Sequence, residues 1–138
     1  VGLGTDGYTN DMFESMKAAN CLHKHNLCDP TVAWTEVPQM LFENNAKIGA
    51  RYFKKKLGAL EEGAAADIVG VNYDPLTPMS ADNCNGHILF GMMGHDVVTT
   101  IIDGKVRMKD RELIGIDGEA ILAKSREQAA DLWNRINA

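Results

Sequence analysis

A chain of 138 residues, 45% hydrophobic and 24% charged, has the balance of a globular protein in water and room for one ordinary core, hardly two. Its net charge of −5 removes the basic footprint that nucleic acid or an anionic membrane surface requires. No apolar stretch approaches the length that spans a bilayer.

Residues 1–7 read VGLGTDG. Val1 to Thr5 suggests the end of a buried strand, with Asp6 where that strand breaks into Gly7. A buried strand rarely opens a domain, so a start at Val1 points to a longer parent. A helix is predicted from about Asp11 to His25. Asp11 with Glu14 resembles a capping box, with Asn10 or Thr9 as alternative caps. Met12, Met16, Ala19 and His23 recur at helical spacing and define its buried face. Asp29 before Pro30 reads as the next helix start, because proline in a first turn has no amide to leave unpaired. Pro38 restarts the pattern. Met40, Leu41, Ile48 and Tyr52 then predict a helix packed on a core, and Lys54-Lys55-Lys56 reads as its solvated end.

The second half changes character near Leu57 to Gly63. Ile68 to Val71 is a short apolar run read as a strand, and PLTPMSADNCNG is a loop. HILFGMM, residues 87–93, is predicted as another strand. Val97 to Ile102 is β-branched, Asp103-Gly104 supplies the positive backbone angles of a tight turn, and Lys105 to Met108 returns as the second arm of a hairpin. Asp117 can cap a final helix with Ile121, Leu122, Ala129, Leu132, Trp133 and Ile136 on one broad face. There is no internal repeat and no low-complexity segment. Three cysteines, odd in number and unevenly spaced, fit reduced thiols better than a disulfide framework. Those reduced thiols fit an expected cytoplasmic location, and there is no basic-then-apolar leader before Val1 to suggest secretion.

Two stretches carry a family resemblance. GLGTDG resembles the end of the last barrel strand in the amidohydrolase superfamily. LGALEEGAAADIVGVNYDP, followed by VVTTIIDGKV, resembles the segment in which those enzymes return to a small β-sandwich beside the barrel. The match is closest to the deaminase and chlorohydrolase branch, and TDGYTNDMFESMKAANCLHKHNLCDPTVAWTEVPQML is similar to the aminohydrolases called SsnA. The resemblance covers nearly the whole chain but only about the final third of such an enzyme. It departs at Gly63-Ala64, where the family has glycine-lysine.

The fold implied is α/β, or α+β for the piece in isolation. Residues 1–56 would be the last β/α unit of a metal-dependent (β/α)8 barrel, and residues 57–138 sandwich strands with a C-terminal helix. The activity implied is hydrolysis of a C–N or related bond of a nitrogen heterocycle, using zinc or iron. The paired histidines of the first strand and the single histidines of the fifth and sixth would lie upstream of Val1. Asp6 would be both a metal ligand and the catalytic acid–base group. Purine-like, pyrimidine-like and triazine-like substrates all remain open. A homo-oligomer with no nucleic-acid or membrane partner is expected.

The chemistry asked of Asp6 suits its position and type. Side chains at the C-terminal ends of barrel strands point into the mouth where active sites are built. Water activated by a metal ion can attack an electron-poor ring carbon near neutral pH. A carboxylate within reach can take the water's proton and hand it to the departing amine. The plainer alternative is an Asx turn, in which Asp6 only bonds nearby amides.

Other candidates are weaker. His23 and His25 have metal-pair spacing, but on a helix they point about 200° apart. Cys21, His25 and Cys28 lie near one helical face and offer three zinc ligands, with ordinary thiols as the alternative. His87 and His95 flank ILFGMMG and read as polar sheet edges. Lys105 and Arg107 belong on the solvated face of the hairpin. The methionines, Met92 and Met93 included, read as core filler.

Two functional readings follow. In the first, the chain is part of a metal-dependent hydrolase, and without the missing ligands it neither holds the metal nor turns over. In the second it is a non-catalytic module that self-associates, because unpaired strand edges and apolar helix faces favour pairing with a second copy.

Overall fold

The computed structural model describes residues 1–138. Helix α1 spans Met12–Leu27. Asp11 is its N-cap, its side chain accepting from the amides of Phe13 and Glu14 at 2.8 and 3.3 Å. Glu14 does not complete the capping box, because its carboxylate accepts from the Thr9 hydroxyl at 2.9 Å instead. Cys28 closes the helix in the left-handed conformation, at φ +51°.

No helix starts at Pro30. Asp29 instead accepts from the Thr31 amide at 2.8 Å and the Thr31 hydroxyl at 2.6 Å, closing an Asx turn that turns the chain away from helical geometry. The helical run begins six residues later and is continuous: α2 (Glu36–Gln39), a π-turn (Met40–Asn44) and α3 (Asn45–Gly49), with right-handed helical angles at both joints. It ends at Gly49, before the lysine run, so Tyr52 lies outside it and is exposed.

Strand β1 (Ile68–Val71), β2 (Val97–Ile102), β3 (Lys105–Lys109) and the two-residue β4 (Glu112–Leu113) form one antiparallel sheet in chain order. Asp103 and Gly104 connect β2 to β3 with φ of +49° and +75°, the angles that an Asp-Gly hairpin supplies. The same turn is tied to the segment before β1, with Asp67 accepting from the Asp103 amide at 2.7 Å and Ala66 O from the Gly104 amide at 3.0 Å.

Two predicted strands are not strands. Residues 87–91 instead form a π-turn that continues the one-turn helix α4 (Cys84–Gly86), Met92 and Met93 are extended, and the 3₁₀ turn Gly94–Asp96 follows. This puts Leu89, 1% exposed, against α1 and α2 rather than into the sheet. An apolar run of this length serves a buried helical turn as readily as a strand. Residues 1–5 carry no strand either, since no neighbouring strand offers them a ladder, and Val1 is 96% exposed.

The core is small and sits in the helical half: Met16, Ala33, Val37 and Leu89, with Leu3, Ala19, Val32, Leu41 and Ile88 packed against it. Asn20, 2% exposed, joins it by donating to Ala33 O at 2.8 Å. His23, expected on the buried face, is exposed; the face runs through Met16 and Asn20 instead. Helix α5 (Gly118–Ile136), capped by Asp117 as predicted, buries no residue. In all, 10539 Å² of surface is exposed, against about 7,000 Å² for a close-packed monomer of this mass. No helix is long and apolar enough to cross a membrane.

Candidate active site

Asp6 sits at the apex of a turn, with φ +52° and Gly7 behind it. The Tyr8 amide donates to Thr5 O at 3.4 Å across that turn. The left-handed angle is tolerated by aspartate better than by most residues. Its carboxylate is exposed and accepts no hydrogen bond from the chain, so the Asx-turn alternative does not hold it. A cleft of about 530 Å³ is lined by its neighbours Leu3, Thr5 and Tyr8 with Glu14, Ser15 and Leu22, among others, but not by Asp6 itself.

Both flanks of this turn are anchored by side chains. Asn45, the first residue of α3, accepts from the Leu3 amide at 3.0 Å and donates to Leu3 O at 2.7 Å. Its neighbour Asn44 donates to Val1 O at 2.8 Å. On the other flank, the second carboxylate oxygen of Asp11 accepts from the Gly94 amide at 2.9 Å, and Lys17 donates to Met92 O at 2.5 Å. Helix α1 is thereby tied to the segment leading into β2. Asn45 was not singled out from sequence, although one signal exists: it lies four after Leu41 and three before Ile48, a polar residue on the apolar stripe of its helix.

The remaining candidates do not converge. Cys21, His25 and Cys28 are all exposed, and the Cys28 thiol is turned toward His25 O at 3.6 Å. No three His, Cys, Asp or Glu side chains meet around a common point that an ion could occupy. His87 lies on the π-turn, where its Nδ1 and the Tyr73 hydroxyl are 2.9 Å apart. His95 pairs locally with Asp96 at 3.1 Å. Lys105 and Arg107 are exposed on β3 as expected.

Three carboxyls are held below their ordinary range, all on the open surface and outside this site. Asp29 is lowered by the Thr31 hydroxyl and then its amide. Glu36 is lowered chiefly by its own amide at the start of α2. Asp103 is lowered by its hydrogen bond to Lys55 and then by that ammonium's charge.

The sequence that builds this frame, a carboxylate at the turn before α1, then the helical run and most of an antiparallel sheet, matches the Amidohydrolase family over residues 1–107. The chain belongs to that family. It is 44% identical, over 82% of its own length and 27% of the relative's, to 5-methylthioadenosine/S-adenosylhomocysteine deaminase of Thermococcus onnurineus. It is 35% identical, over its whole length and 32% of the relative's, to 5'-deoxyadenosine deaminase of Methanosarcina mazei. Among solved structures it is similar to a zinc-bound adenosine deaminase from Xanthomonas campestris, with a TM-score of 0.74, 25% identity and coverage of 89% of this chain and 28% of that one. The chain thus spans about a third of the length of the curated relatives it matches.

Proposed function

We propose that this chain is the C-terminal part of a metal-dependent deaminase that removes an exocyclic amino group from an adenosine-type nucleoside by hydrolysis. The observation that carries this reading is the 44% identity to a relative named for deaminating adenosine-containing substrates. It favours a purine-like over a pyrimidine-like or triazine-like substrate, and deamination over dechlorination. In this reading residues 1–56 end the barrel, and residues 57–138 belong to the sandwich and its helix. The roughly 3,500 Å² of surface beyond that of a close-packed monomer supports the presence of further polypeptide over these faces.

A free carboxylate is a suitable oxygen donor for zinc or iron, and Asp6 has no competing partner. It fits one ligand position. The other ligands would come from the part of the enzyme that precedes this chain. When bound, the metal supplies acidification of water near neutral pH. Asp6 takes one proton from the attacking water and delivers it to the departing nitrogen, so the ring gains a C–O bond, loses its C–N bond and releases ammonia. The 138-residue chain alone would be inactive, because one carboxylate is not a coordination sphere. A cytoplasmic location and a homo-oligomeric assembly are part of the same reading, and self-association of the isolated chain would follow from its exposed apolar faces.

The test is made on the complete protein. Ammonia release is measured with adenosine-type nucleosides beside aminated pyrimidines and triazines, for the native protein and for Asp6→Asn. The expected result is turnover of the adenosine-type substrates and a fall of about 10²- to 10⁴-fold in kcat for the variant, with unchanged thermal unfolding. An undiminished rate in Asp6→Asn would remove Asp6 from the reaction, and turnover confined to the other rings would overturn the substrate class.

A further inference from the structure

We infer that Asn45 is a positioning residue for Asp6, its side-chain amide pinning both backbone polar groups of Leu3 on the segment that carries the carboxylate. The inference rests on the proposed role of Asp6. Asn45 meets both backbone polar groups of a single residue, Leu3: it accepts from the amide at 3.0 Å and donates to the carbonyl at 2.7 Å. That is the paired exchange by which a strand neighbour in a ladder holds a residue. A primary amide carries a donor and an acceptor side by side, which lets it meet both at once. Within this chain these bonds, with that of Asn44 to Val1 O at 2.8 Å and the packing of Leu3 against the core, hold the segment.

The local packing is built around this contact. A Cβ at Gly2 would lie 2.2 Å from Asn45 Oδ1 and 2.9 Å from Ile48 Cδ1, so only glycine lets the backbone approach the amide so closely. From Leu3 to Asp6 is three residues, at most about 10 Å of chain. Beyond Asp6, the α1 cap at Asp11 fixes the other end of the loop. With both ends held, the carboxylate is confined. Releasing the Leu3 end frees it.

Amide exchange and ¹H–¹⁵N NOE values, measured residue by residue over this segment in the complete protein, test this without reference to catalysis. The Leu3 amide is expected to be protected in the native chain. In Asn45→Ala it should exchange about tenfold faster, the equivalent of one net hydrogen bond. The NOE values of Thr5, Asp6 and Gly7 should fall with it, while those of the Asp103-Gly104 turn stay unchanged. Asn45→Asp, which can still accept from the Leu3 amide but cannot donate to its carbonyl, should fall between the two. Gly2→Ala, which leaves Asn45 in place but pushes on its oxygen, should move the same signals and keeps the test alive if Asn45→Ala unfolds. An unprotected Leu3 amide in the native chain, or unchanged NOE values at Thr5 to Gly7 once Leu3 is released, would overturn the inference. In the complete enzyme Asn45→Ala should lower kcat about tenfold with KM nearly unchanged. A normal rate in Asp6→Asn would refute the proposed chemistry and leave the exchange result standing, so the two failures are distinguishable.

Discussion

Helices α1 and α5 begin alike and end differently. Each is capped by an aspartate whose side chain accepts from amides of the first turn, and each carries an apolar stripe. The stripe on α5 is the better segregated of the two. Yet α1 buries Met16 completely and Asn20 almost so, whereas on α5 Leu132 stays 47% and Trp133 60% exposed. Amphipathic pattern states only that a face wants cover. Cover itself depends on what the rest of the chain brings. The Ala33–Val37 turn and the Leu89 helical turn come to α1, and no element comes to α5.

Substitutions in the two halves should therefore differ most at the core. Leu89→Ala removes a side chain that is 1% exposed, and is expected to destabilise the chain by about 2–5 kcal/mol in denaturant unfolding. Asn20→Ala comes next: it strands the buried Ala33 carbonyl, and about 1–3 kcal/mol should be lost. Asp11→Ala, which removes both the α1 cap and the tie to Gly94, should cost about 1–2 kcal/mol, with amide exchange accelerated in the first turn. By contrast Leu132→Gln on α5 should change stability of the isolated chain by about 0.5 kcal/mol or less. A larger loss there would mean that α5 is covered in solution, and its dependence on protein concentration would identify a second copy as the cover.

The smallest expected effect separates two kinds of surface carboxylate. Asp29 and Asp103 are both held below the ordinary value of 3.8, so each binds fewer protons in the folded chain than in the unfolded one. Their contribution is complete above that value and disappears as pH falls through the lowered ones. Asp29→Asn and Asp103→Asn should each flatten the acid limb of the unfolding curve. High salt should erase the difference for Asp103, whose main partner is the charged Lys55, and leave that for Asp29, whose partners are the Thr31 hydroxyl and amide. Equal salt sensitivity at the two sites would contradict this assignment of causes.

Much of the fold was legible where local chemistry decides. The α1 and α5 caps, β1 at its observed bounds and the Asp-Gly hairpin all rest on interactions within a few residues. Residues 87–93 were not legible, because a short apolar run satisfies a buried helical turn as well as a strand, and its neighbours choose. Pro30 misled because Asp29 found a nearer partner in Thr31 than a helix would offer. For the site, Asp6 stood out by type and position. Asn45 did not, since its partner lies 42 residues away.

From the order of residues alone came the family, the candidate carboxylate at the turn, the two capped helices and the hairpin, all properties of neighbours or of a motif. Tertiary structure alone decided which apolar face is covered, that Asn20 is a core residue, and that Asn45 holds the segment bearing Asp6. Those outcomes depend on contacts between distant parts of the chain, and a stripe or a polar side chain carries no record of the partner that will meet it.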